Sequence, residues 1–163
     1  MSDPQQPQGA ADAPPEQPSF QIEKIFVKDL SLEVPNAPHV FMQAEQPALE
    51  IQVRNEAAQF GESLFEVAVT VTVTARAGEK TLFLAEVAQA GIFSARGIPQ
   101  QDLEPLLGIA CPTILYPYAR EAISDLVTRA GFPAVVLAPV SFEQMYMQQR
   151  AQQSGESPIQ IAQ

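Results

Sequence analysis

The sequence has a single cysteine, Cys111, and a single histidine, His39, so it can close no disulfide within the chain and offers no Cys/His cluster for a structural metal. Such a chain suits a reducing compartment. Basic residues are also scarce: nine Lys and Arg, scattered along the chain, stand against nineteen Asp and Glu, for a net charge of −10 and a pI near 4.4. A polyphosphate partner needs clustered cations that release counterions, so the composition argues against nucleic acid and predicts none as a partner. An acidic surface favours basic partners by steering their approach. No apolar run approaches membrane-spanning length, and the start, MSDPQQPQGAADAPPEQPS, lacks both the basic end and the apolar stretch of a secretory signal. These absences predict a cytoplasmic protein that does not insert into a membrane.

Its 163 residues, 46% of them hydrophobic, suffice for one compact core. Residues 1–19 are rich in Pro, Gln, Ala and Asp and hold almost nothing to bury, which predicts a disordered N-terminal arm. Residues 152–163 read as a flexible C-terminal tail, with only Ile159 and Ile161 to bury. The predicted domain is 20–151.

Four segments have strand character. In the first, Phe20, Ile22, Phe26, Leu30, Leu32 and Val34 share one parity, while Ile25 and Val27 fall on the other, which predicts a bulge or a strand half covered on both sides. Leu49, Ile51 and Val53 alternate with Glu50, Gln52 and Arg54 in the second. The third sets Phe65, Val67, Val69, Val71 and Val73 against Thr70, Thr72 and Thr74, the pattern of an antiparallel strand with one wet face. Ala77 to Lys80 then turns into a fourth strand, Thr81 to Phe93, closing a hairpin. Between strands one and two, NAPHVFMQAEQP reads as a loop with an exposed pair, Val40 and Phe41.

From Asp102 the period changes to that of a helix, with a broad apolar stripe that includes Leu103, Leu107, Cys111, Leu115, Ala119, Ile123 and Val127. Pro112 and Pro117 each remove a helical hydrogen bond, which predicts a break or kink. Gly131 ends the helix, residues 132–139 cross over in extended form, and Phe142 to about Arg150 forms a short last helix. Strands first and helices afterwards is the α+β arrangement. Strand four is apolar on both parities and the helix over a wide arc, more apolar face than one protomer can cover. The surplus is predicted to bury against other copies or to bind a partner.

Little in the chain suggests catalysis. A thiol on a helical apolar stripe, as Cys111 is, behaves as a small core group, and a pairing with His39 would lack a third orienting residue. The run AGEKT lacks the spacing of a phosphate-binding loop and lies in a hairpin. The sequence therefore predicts no enzyme and no cofactor. Taken alone, Asp29, Glu33 and Glu86 read as a solvated sheet face, and Leu49, Ile51 and Val53 as core.

Three stretches resemble the SecB export-chaperone family: FQIEKIFVKDLSLEVPNAPHVF (20–41), FLAEVAQAGIFS (83–94) and CPTILYPYAREAISDLVTRAGFPAVVLAPVSFEQMY (111–146). The resemblance covers nearly all of the predicted domain. It implies a four-stranded antiparallel sheet with a long kinked helix and a short C-terminal helix, assembled as a homotetramer, a dimer of dimers. It further implies an ATP-independent holdase that keeps unfolded secretory precursors translocation-competent and delivers them to the SecA motor. The positions matching the family's client groove are Val40, Phe41, Leu49, Ile51, Val53 and Tyr146; those matching its SecA-docking face are Asp29, Leu84 and Glu86. A second family contact joins the C-terminal tail to SecA's zinc-binding element, a pattern from which QQSGESPIQIAQ departs in having one acidic residue. A fold-sharing adaptor that supports one dedicated client, such as an antitoxin, is the alternative.

Overall fold

The computed structural model describes residues 14–43 and 45–155; most of the predicted arm and tail lie outside them. Four strands form one antiparallel sheet: β1 (Ser19–Glu33), β2 (Ala48–Gln59), β3 (Leu64–Ala77) and β4 (Lys80–Arg96), in the order β1-β4-β3-β2. The predicted hairpin is there, closed by the Ala77–Lys80 pair. Because β1 pairs with β4, the connection from β1 to β2 must pass across the end of that hairpin.

Two irregularities in β1 resolve its broken alternation. Register shifts fall between Ile22 and Lys24 and between Val27 and Asp29, leaving Glu23 and Lys28 as the extra residues. Each shift flips the parity, so Phe20, Ile22, Ile25, Val27, Leu30 and Leu32 pair with the β4 positions that face the helices. Phe26 alone among the large apolar residues pairs on the opposite, open face, across from Ala90. Both extra residues are polar and bond on the open side: Glu23 accepts from Ser94 Oγ at 2.6 Å, and Lys28 pairs with Glu66. Gln89, only 4% exposed, donates to the Phe26 carbonyl beside the second shift and so satisfies its own buried amide.

The helical layer comprises α1 (Gln100–Pro105), a π turn (Leu106–Ala110), α2 (Cys111–Arg129) and, after an extended crossover, α3 (Phe142–Gly155). The predicted break at Pro112 or Pro117 is displaced. The irregularity is the π turn, just before Pro112, where the Cys111 N–H reaches back to the Leu106 carbonyl. A proline ring clashes with the carbonyl four residues earlier, here that of Gly108, and widening the preceding turn relieves the clash without ending the helix. Pro117 sits exposed inside an unbroken α2.

The core lies between the sheet and α2. Val67, Val69, Val71, Val73 and Val87 are fully buried against Leu115, Ala119, Ile123 and Val127. The crossover is fastened by Val135 and Leu137, both buried, and by the Tyr116 hydroxyl, which donates to the Ala138 carbonyl at 2.6 Å. Phe142, at the start of α3, packs edge-on to Tyr116 with ring centroids 5.7 Å apart. Much apolar surface stays uncovered: Ile22, Val27 and Leu30 on the edge strand β1, Phe41, Leu49 and Ile51 near β2, and Val136 on the crossover, which is 80% exposed.

Candidate functional site: an apolar groove beside the edge strand

The β1–β2 connection folds into a single 3-10 turn, His39–Met42, held by Val40 N–H to the Asn36 carbonyl and Phe41 N–H to the Pro38 carbonyl. The turn splits the pair that the sequence presents as exposed. Val40 points inward and is 8% exposed, anchoring the connection to the core, while Phe41 stays half exposed at 49%. The Phe41 ring lies 5.3 Å from that of Phe132, which lies 4.9 Å from that of Phe83 on β4. A short aromatic ladder thus runs from the connection through the crossover to the sheet.

Beside that ladder opens a groove of about 610 Å3. Leu82 and Phe83 form its floor, Leu49 and Ile51 one wall, and Phe132 to Val136 the other, with Phe41 at the lip. Leu49 and Ile51 are each 45% exposed on the helix-facing side of β2, opposite Ala75 and Val73. Val53 follows on the same side, partly buried against the core. The structure therefore brings together Val40, Phe41, Leu49 and Ile51, with Val53 next along the strand. Tyr146 is not in this groove. It lines a second cavity of about 430 Å3 further along β2, with Asn55, Ala57, Leu107, Gly108 and Arg150. Arg150 lies over the Tyr146 ring, 5.7 Å from its centroid.

Sequence reasoning missed the opposite wall. Phe132 to Val136 follows Gly131 and reads as plain crossover, yet it supplies one side of the groove. The available signal was the continuous apolar run F-P-A-V-V directly after the helix-ending Gly131, with a proline that keeps it from pairing as an interior strand.

Asp29, Leu84 and Glu86 lie on the open face. Asp29 pairs with Ala88, Glu86 with Ser31 on one side and Thr72 on the other, and Leu84 with Glu33 and Thr74. The Thr72 hydroxyl donates to Glu86 at 2.7 Å, which fixes that carboxylate on the sheet.

The groove presents hydrocarbon and aromatic surface with a polar rim, suited to holding apolar side chains. Cys111 is fully buried, and burial pushes its thiol up to about 12. Burial also raises the Tyr116 phenol, opposed by the Arg120 guanidinium nearby. Neither residue lines the groove. Among the described residues no helix is long and apolar enough to cross a membrane.

The family model for preprotein translocase subunit SecB matches residues 13–153. The protein-export protein SecB of Chromobacterium violaceum is 62% identical over 138 residues, covering 85% of this chain and 92% of that one. That of Dechloromonas aromatica is 57% identical over 148 residues, covering 89% and 97%. In fold, the chain is similar to a SecB-like chaperone of Mycobacterium tuberculosis solved in complex with an antitoxin peptide, with a TM-score of 0.63 at 20% identity over 75% of this chain and 91% of that one. The chain belongs to the SecB family, whose members are protein-export chaperones and not enzymes.

Proposed function

We propose that the chain holds unfolded secretory precursors along the groove and hands them to SecA, working as a cytoplasmic homotetramer without ATP. The observation that carries this reading is the unfilled apolar groove walled by Leu49, Ile51 and the Phe132–Val136 segment, with Phe41 at its lip. Each large apolar side chain a client buries there contributes about 1.5–3 kcal/mol, and several grooves on one assembly add avidity. Native proteins have already buried such segments, so selectivity for nonnative chains needs no sequence code. Val40, Phe41, Leu49, Ile51 and Val53 act as the main client surface, with Tyr146 extending it.

The self-assembly is supported by the exposed Ile22, Val27 and Leu30 on edge strand β1, together with Tyr118 on α2, half exposed. Docking of SecA falls to the open face, where Asp29, Leu84 and Glu86 combine negative charge with an aliphatic side chain. Native mass spectrometry of the protein alone, then with a urea-unfolded precursor diluted into it, tests the reading. It expects a tetramer that takes up one precursor; a monomer that takes up none overturns it.

A further inference from the structure

The cavity at the far end of β2 holds a polar arrangement that the aromatic groove lacks. Asn55 faces the helices from β2, two residues beyond Val53, and its Nδ2 donates to the Gly108 carbonyl across 3.4 Å. That carbonyl is available because Pro112, four residues on, has no N–H to give it. Gly108 also makes room for Tyr146: a Cβ there would lie 2.8 Å from Tyr146 Cδ2. The π turn, the edge strand and α3 thus meet around one partly buried carboxamide. Among the described residues the Asn55 Oδ1 has no hydrogen-bond partner, although the residue lines a cavity of about 430 Å3.

We infer that Asn55 is a backbone-reading residue of the client site, its Oδ1 accepting an N–H from the main chain of an extended polypeptide that lies along β2 with its side chains in the aromatic groove. The inference rests on the groove being the client site. From Ile51 to Asn55 is about 13 Å at ~3.3 Å per residue, so a single extended segment reaches both places. A carboxamide held at its nitrogen by Gly108 presents its oxygen in a fixed direction, which lowers the cost of ordering it on binding. Every non-proline residue carries the same N–H, so this contact adds affinity without demanding a sequence, and the apolar side chains seated in the groove set the register.

The test is an N-methyl scan of one apolar, extended peptide of roughly ten residues, the length that spans the strand at ~3.3 Å per residue, with binding to the full chain measured by fluorescence anisotropy. One neutral hydrogen bond sets the expected effect: a single internal N-methyl weakens binding roughly five-fold, and the remaining positions change little. In Asn55→Leu, which keeps the size of the side chain and removes the acceptor, that dip disappears. A flat scan with the unsubstituted protein, or a dip unchanged in Asn55→Leu, overturns the inference. Leu49→Asp separates this from the parent reading: it weakens binding of the whole peptide series at least about ten-fold if the groove is the client site, and unchanged binding there sinks both.

Discussion

The ring of Phe41 rests on Gly131, so closely that a Cβ at that position would lie 3.1 Å from Phe41 Cε1. Gly131 has φ +91, a conformation L side chains rarely adopt, and it carries the chain from the end of α2 into the crossover. The lip of the groove is therefore set by a residue with no side chain. Gly131→Ala should destabilise the fold by about 1–2 kcal/mol through backbone strain, and also push Phe41 off Phe132. Urea denaturation reads the first effect and client affinity the second. Combining it with Phe41→Ala should cost less than the sum of the two, because the steric part is shared.

Leu49 and Ile51 are half exposed, so a charge there costs the folded protomer little while placing an ion in the proposed client groove. Leu49→Asp or Ile51→Asp should leave the circular dichroism spectrum and melting temperature nearly unchanged. Affinity for an unfolded precursor should fall at least about ten-fold, the equivalent of one apolar side chain left in water.

On the open face, Glu86→Ala removes an acceptor from the Thr72 hydroxyl and a charge from the sheet. It should lower stability by about 1 kcal/mol. Glu86→Ala and Asp29→Ala should each weaken SecA binding in a titration at low salt, with the difference from the unsubstituted protein shrinking as salt rises, and neither should alter client holding. Equal loss of both activities would show that the two faces are not separate.

The Cys111 thiol gives a pH-dependent prediction. Burial raises it from 9.0 to about 12, so between those values the unfolded chain releases a proton that the folded chain keeps. Its contribution to stability is full below pH 9.0 and is lost as pH rises toward about 12. Cys111→Ala should therefore show a flatter fall in denaturation midpoint over that range than the unsubstituted protein. At neutral pH the native thiol should label far more slowly than the unfolded one, as a protonated, buried sulfur must.

The strands were legible because their apolar residues alternate: β3 needs only the Val67 to Val73 series to declare its faces. The β1 shifts were half legible, since Ile25 and Val27 break the parity, but parity alone does not say that Glu23 and Lys28 are the residues left over. That choice depends on partners across the sheet, Ser94 and Glu66. The prolines alone place the helix irregularity at themselves, whereas the widened turn comes one turn earlier, around the carbonyl that Pro112 would meet. Resemblance marked Val40 and Phe41 equally, and only the hydrogen bonds of the 3-10 turn divide them into anchor and lip. Asn55 carried no signal, because an asparagine in a strand reads as polar surface until the π turn brings Gly108 against it.

The rate at which a chemically unfolded secretory precursor regains its native fluorescence, on dilution without nucleotide, tests the central claim most directly. Slowed refolding with the unsubstituted protein, and an unslowed rate with Leu49→Asp, is the result the apolar groove predicts. A precursor that refolds equally fast with and without the unsubstituted protein contradicts it.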